Sequence, residues 1–409
     1  MLFFYDGSNE FAITYDEFYT LLSKKKKIHR YIFFKRTFDV IVEITSAMLN
    51  GVEVTVLDGD FTEKELEYIN VNVNNLNEFY EIDNLLEINN INNFNDLVKQ
   101  NLNKTYIKIF TSGTTGKPKC FNHSLESLMR NIKVNISHRD DIWGLAYNIT
   151  HFAGIQVLLQ ALMNGNTIID LFADNAKNAD RLLKRYKCTC LSATPTFFRN
   201  YIFTGEDKNF EIKAVTFGGE KFSNELIEKV KRKFPKSKIR NIYASTEVGS
   251  IFSGNNENFI IPDYLKNQIV ISEQNHLLLH KSLISCNNQS DEWYDTNDIV
   301  KLNEDGSFKI LSRDSDFINV GGYKVNTLEV EEAILQVDGV LDTVVWGRDN
   351  SVIGKILVAD VKLNRGCEKE STKRQIVQYL KENLQSFKIP RIINLVDDIN
   401  KTRTGKKVR

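Results

Sequence analysis

The chain has 409 residues, 42% of them hydrophobic and 26% charged, with Lys+Arg and Asp+Glu equal at 53 each. That length predicts two or three domains with ample core, and the balanced charge supplies no bulk field for nucleic acid or an anionic membrane. No apolar run approaches the ~20 residues of a membrane span, and Met1 to Asp6 lacks the basic segment of a signal peptide, so a cytoplasmic location is expected. Five cysteines form no metal-ligand or disulfide framework, and Cys188-Thr189-Cys190 reads as a strand with buried free thiols.

The first hundred residues alternate helix and strand signals. Thr14-x-x-Glu17 and Thr62-x-x-Glu65 are capping boxes that open helices. Phe38, Ile41, Val42 and Met48 predict a helix ending near Gly51, and Val52, Val54 and Val56 alternate as a strand. Such alternation implies α/β layers. Residues 70–103 are asparagine-rich but keep enough apolar anchors to stay ordered. Further on, strand signals at Thr167, Cys188, Ala214 and Ile239 alternate with helices from Ala179 and Asn224. Short strands between about 252 and 310 predict a small β-rich subdomain. The remainder, two helices and three strands, has the size and mix of a small α+β domain.

One stretch stands out: Thr111-Ser112-Gly113-Thr114-Thr115-Gly116-Lys117-Pro118-Lys119. It follows an apolar strand, Tyr106 to Phe110. An amphipathic helix is predicted after it from Ser124, with Leu125, Leu128, Met129 and Ile132 on one face. Hydroxyls, backbone N–H groups and lysines at such a turn suit a polyanion. The Walker loop is excluded, because only two residues separate Gly113 from Gly116-Lys117 and Pro118 stands at the Ser/Thr position. By itself the stretch could also be a polar surface loop.

Four further clusters occur in a fixed order: Tyr243-Ala244-Ser245-Thr246-Glu247, Trp293-Tyr294-Asp295-Thr296-Asn297-Asp298, Arg313 to Glu331, and Thr402-Arg403-Thr404-Gly405-Lys406. Together with the loop they make the chain resemble the adenylate-forming superfamily of acyl-CoA synthetases, aryl-acid ligases, luciferases and adenylation domains. The resemblance spans about Thr14 to Arg409. It implies a large α/β N-terminal domain with a β-rich subdomain, residues 1–312, and a small mobile α+β domain, residues 313–409, hinged at Ser315.

The resemblance also assigns roles. Thr111, Ser112, Gly113, Thr114, Thr115, Gly116 and Lys117 would hold the ATP phosphates. Gly218, Gly219 and Glu220 would admit the adenine, with Tyr243 offering it a flat face; Asp298 and Arg313 would bind the ribose. Glu247 would hold Mg²⁺, and Thr246 would touch the α-phosphate or the substrate carboxylate. Lys406 would neutralise charge as the carboxylate meets that phosphate, leaving Lys407 as a solvated neighbour. His151 and Phe152 would line the acyl pocket, and Gly321 and Gly322 would leave room for a pantetheine arm. Amino-acid-activating relatives carry an aspartate near this pocket; none occurs between Trp143 and Asn166, which disfavours an amino acid substrate.

The expected reaction is acyl-AMP formation from a carboxylic acid and MgATP, then transfer to CoA. Loading of an acyl carrier protein is the alternative, and a degenerate nucleotide-binding homologue a second one. Departures from the family pattern are Ala244 and Asn297 in place of glycines, Asn400 in place of proline, Ser315 at the hinge, and a short segment before the phosphate loop.

Overall fold

A computed structural model describes the chain apart from residues 84, 112–118, 173–175, 203–210, 221–223, 285–290, 314–315, 321–322, 351–353, 402–406 and 408–409, and apart from the side chains at 111, 119, 176–177, 200, 224–225, 324 and 354. The expected α/β layering is present. An eight-stranded sheet runs in the order Gly249–Gly254, Lys238–Ser245, Ala214–Gly218, Cys190–Ala193, Ile142–Leu145, Thr167–Asp170, Leu2–Asp6, Phe11–Thr14. Its six inner strands are parallel and its two edges antiparallel. Short continuous apolar runs suit such doubly covered strands: every residue of Thr167–Asp170 and Cys190–Ala193 is buried.

A four-stranded sheet of Tyr31–Ile32, Glu53–Val56, Tyr106–Thr111 and Lys119–Ser124 carries the phosphate loop. The predicted β-rich subdomain is a five-stranded antiparallel sheet, with His276–His280, Trp293–Leu302 and Phe308–Arg313 at its centre and Ile269–Ile271 and Asn258–Phe259 at its two edges. Beyond it, a separate core runs from Val320 to Ile393, built on the three-stranded sheet of Val340–Asn350, Gly354–Leu363 and Ile392–Val396. No helix among the described residues is long and apolar enough to cross a membrane.

Local signals explain most element ends. Both capping boxes form: Thr14 and Thr62 accept from the backbone of Glu17 and Glu65, whose carboxylates reach back. The helix Thr37–Asn50 stops at Gly51, which is left-handed at φ +67°. Phe152–Asn164 is mostly buried, and apolar except along a narrow stripe of Gln156, Gln160 and Asn164, spaced four residues apart.

The phosphate loop departs from expectation. Lys119–Ser124 is a strand antiparallel to Tyr106–Thr111, with Thr111 opposite Lys119. The loop therefore joins two strands of a hairpin rather than a strand and a helix. The pattern was hidden by polar composition: Phe121 and His123 point inward from a strand whose other residues are Lys119, Cys120, Asn122 and Ser124. Ser124 does cap the next helix, but that helix closes at Met129 and Ile132 packs from outside it.

Cys188 and Cys190 are buried free thiols, and burial first, then a neighbouring thiol or carboxylate, pushes each up to about 12. Native maleimide labelling should modify exposed Cys120 and spare both until the protein unfolds. Labelling of Cys188 at a rate close to that of Cys120 would contradict this packing.

Candidate active site

The residues singled out by sequence follow the C-terminal ends of neighbouring parallel strands, where open α/β sheets place their ligands. Ile142–Leu145 leads to His151 and Phe152, Ala214–Gly218 to Gly219, and Lys238–Ser245 to the tight turn Thr246-Glu247-Val248. Gly218 is approached by Tyr147 Oη, which donates to its carbonyl at 3.4 Å. Gly219 is exposed and left-handed at φ +84°, so its backbone is open to an incoming base. Glu220 behaves differently from its glycines. Its Oε2 turns back to accept from Thr196 N at 3.1 Å and Thr196 Oγ1 at 2.7 Å, at the start of helix Pro195–Ile202.

Tyr243 links two sheets. It is 9% exposed, tilts on Phe252 at 5.6 Å, and donates through Oη to Asp298 Oδ2 at 2.5 Å. Burial, reinforced by the Asp298 carboxylate, raises its pKa well above the usual value and keeps it a neutral donor. Asp298 is 2% exposed and also accepts from Arg313 Nε at 2.8 Å, its direct cross-strand partner. Asp298 is thus a strand residue held between two donors.

The glycine replaced by Asn297 is explained by its backbone: φ is +57°, a left-handed conformation that asparagine tolerates best after glycine. Ala244 shows no positive φ, so the other replaced glycine answers no such demand. We expect Asn297→Ala to destabilise the protein by about 1 kcal/mol and Asn297→Gly to be nearly neutral. Paired urea melts check this; equal midpoints for the two variants would refute it.

Thr246 and Glu247 are half-buried at the tip of their turn. Among the described residues the Glu247 carboxylate has neither a hydrogen-bond nor an ion-pair partner. Its charge is felt by His123, Tyr294 and Arg313. Burial, then Glu247, pushes Tyr294 up to about 12. A carboxylate is the hard oxygen donor Mg²⁺ prefers. No group of three or more His, Cys, Asp or Glu among the described residues could hold a metal alone, so phosphate oxygens and water would complete the shell.

Sequence reasoning missed several residues here. His123, on the strand leaving the phosphate loop, is 1% exposed, and among the described residues its buried Nε2 has no hydrogen-bond partner. Burial pushes its imidazole down to about 4, so it is neutral at pH 7. Its ring lies 5.6 Å from that of Phe152. Gly249 also packs on Phe152: a Cβ there would come within 3.2 Å of the ring.

Asp58, buried on the loop after Glu53–Val56, accepts from Thr150 Oγ1 and from Asn148 Nδ2 at 3.0 Å. His151 Nε2 lies 3.2 Å from the same carboxylate, outside hydrogen-bond geometry. Asp58 therefore braces the segment that presents His151 and Phe152. Only spatial proximity reveals these partners; an isolated Asp-Gly or His in the sequence carries no such signal.

The structure joins Tyr243, Asp298 and Arg313 directly and sets Glu247 within electrostatic reach of Arg313; Gly218, Gly219, Thr246, His151 and Phe152 end or follow strands of the same eight-stranded sheet. The backbone of Thr111 ends its strand at the loop, while Ser112, Gly113, Thr114, Thr115, Gly116, Lys117, Ser315, Gly321, Gly322 and Lys406 lie outside the described residues. Lys407 is described, and it is not solvated: its side chain is 6% exposed and pairs with Asp342 at 2.7 Å.

The profile of the family described as AMP-binding enzyme matches residues 31–267, and that of the AMP-binding enzyme C-terminal domain matches residues 329–406. A 2-succinylbenzoate–CoA ligase of Staphylococcus epidermidis is 23% identical over 98% of this chain and 93% of its own length. One from Listeria innocua is 26% identical over 76% and 70%. Among solved structures, the o-succinylbenzoate CoA synthetase of Bacillus subtilis in complex with its acyl-adenylate shares the fold at TM-score 0.70, with 18% identity over 99% of this chain and 94% of that one. The anthranilate CoA ligase AuaEII does so at TM-score 0.75, with 17% identity over 99% and 92%.

Proposed function

The chain belongs to the AMP-binding enzymes, the adenylate-forming superfamily, and on that premise we propose that it is an ATP-dependent acid–thiol ligase. It is an AMP-forming enzyme of the acyl-CoA synthetase kind. A carboxylate oxygen attacks the α-phosphorus of ATP, the bond to the β-phosphate bridge breaks, and pyrophosphate leaves. The sulfur of CoA then attacks the acyl carbonyl and AMP departs.

The observation that carries this reading is the position of Phe152. The reaction requires an acid and an α-phosphate to meet, and Phe152 packs against both His123 of the phosphate-loop hairpin and Gly249, two residues beyond Glu247. One wall of the acyl site is thereby built against both halves of the nucleotide site. Asp298 and Arg313 hold the ribose, Gly218 and Gly219 admit the base, and Thr246 orients the reacting groups. The loop Thr111 to Lys117 cradles the phosphates that become pyrophosphate. Glu247 holds Mg²⁺, which when bound offsets phosphate charge and orients the leaving group.

Residues 313–409 act as the mobile domain, pivoting at Ser315. In one orientation it brings Lys406 to the α-phosphate; in another it brings Gly321 and Gly322 to the pantetheine arm. ATP and CoA are cytoplasmic co-substrates, and the cytoplasm is where this reading places the enzyme. The acid is of the aryl or short acyl class, and the relatives make 2-succinylbenzoate the first to try.

Acid-dependent ATP–pyrophosphate exchange across a panel led by 2-succinylbenzoate, benzoates and short acids tests the reading. Exchange with one of them supports it. ATP binding with no exchange for any acid would favour a nucleotide-binding homologue without turnover. Offering CoA against a phosphopantetheinylated carrier protein then identifies the acceptor, with CoA expected.

A further inference from the structure

We propose that Lys407 is a positioning residue for adenylation: its ammonium locks the lysine motif onto the small domain through a buried acidic niche and so sets where Lys406 can reach. The inference rests on the reading of Lys406 as the adenylation lysine. Lys407 Nζ lies 2.7 Å from Asp342 Oδ1 and 3.6 Å from Glu331 Oε2, and donates to the Thr343 carbonyl. The three side chains are 6%, 2% and 6% exposed. A lysine flanking a catalytic residue would ordinarily keep its head in water. A desolvated ammonium stays charged and ordered only where carboxylates meet it.

The niche is built from two elements. Glu331 comes from helix Thr327–Ile334 and its other oxygen accepts from Val345 N at 2.9 Å. Asp342 comes from strand Val340–Asn350 and accepts from Thr343 N at 2.9 Å. Both carboxylates are thus held by backbone N–H groups of the small domain, and the Lys407 ammonium sits against the two of them. Lys407 also forms an antiparallel backbone bridge with Lys401. Lys407, the described residue next to Lys406 in sequence, is thus held both by backbone pairing and by buried charge. Two adjacent lysines divide the work: Lys407 spends its charge inside the domain, and Lys406 supplies its charge to the substrate.

Lys407→Met, Asp342→Asn and Lys407→Arg test this, with Lys406→Ala alongside. For Lys407→Met we expect the kcat of pyrophosphate exchange to fall about a hundredfold, the loss that slight misplacement of a reacting group produces. The KM for ATP and thioester formation from supplied acyl-adenylate should stay near wild type. Asp342→Asn, which conserves volume and attacks the contact from its other side, should show the same split. Lys407→Arg should recover part of the rate, and amides of residues 399–407 should exchange faster in Lys407→Met than in wild type. Parallel losses in both half-reactions would mark Lys407 as merely structural and overturn the inference. So would wild-type exchange in Lys407→Met while Lys406→Ala is inactive. Wild-type exchange in Lys406→Ala would instead remove the reading of Lys406, and this inference with it.

Discussion

Lys406→Ala is expected to lower acyl-adenylate formation by about a thousandfold, the order found when a group stabilising developing charge is removed. The same variant should still make thioester from supplied acyl-adenylate and CoA. Two anions must approach at the α-phosphorus, a carboxylate and a polyphosphate. The described nucleotide site supplies Arg313 at the ribose, where Asp298 already claims it. Lys117 is assigned to the phosphates that leave, so we propose that the charge at the α-phosphorus comes from Lys406, which on a mobile domain would arrive for the first step and withdraw for the second. Thioester formation separates phosphate from acyl carbon without joining two anions, so it does not need that charge. Stopped assays of each half-reaction check the split. Equal loss in both would show that Lys406 supports the domain rather than the chemistry.

Asp298→Ala should have the second-largest effect, on stability and on nucleotide use together. Asp298 accepts from Tyr243 and Arg313 with one oxygen each, and each oxygen keeps a lone pair for a ribose hydroxyl. Removing the carboxylate leaves the Tyr243 hydroxyl buried without its acceptor, a loss of about 2 kcal/mol with a smaller share from half-exposed Arg313. Two charge-assisted bonds to ribose would go as well, lowering kcat/KM for ATP about a hundredfold or more. Tyr243→Phe isolates the structural part: it keeps the ring and the Asp298–Arg313 pair and should cost about 1 kcal/mol. Melting curves and ATP titrations of both variants decide the matter. If Asp298→Ala melted early yet used ATP normally, Asp298 would be a packing residue alone.

Much of the fold was legible because its signals are local. A capping box needs four residues and a short apolar run needs five, and Thr14, Thr62 and Cys190 mark elements that form where expected. The phosphate-loop hairpin was illegible because Lys119–Ser124 carries its period-2 pattern on only two inward residues, Phe121 and His123. Polar composition outweighed periodicity there. The site divides in the same way. Residues proposed to meet a ligand, such as Glu247 and Asp298, stand in motifs whose order along the chain exposes them. Residues that hold those residues in place do not. Asp58 lies 92 positions from Thr150, whose hydroxyl it accepts, and Lys407 reaches Thr343 across 64. Lys407 is the sharpest case: beside Lys406 it looks like a spare surface charge, and only Asp342 and Glu331 disclose that it is buried.

The central claim is that this chain makes acyl-AMP. Its most direct measurement is mass spectrometry of a quenched reaction holding enzyme, MgATP and the best acid from the panel, without CoA. The account predicts the acyl-adenylate in proportion to enzyme, with pyrophosphate released in equal amount, and its replacement by acyl-CoA and AMP once CoA is added. Formation of ADP with an acyl phosphate would contradict it.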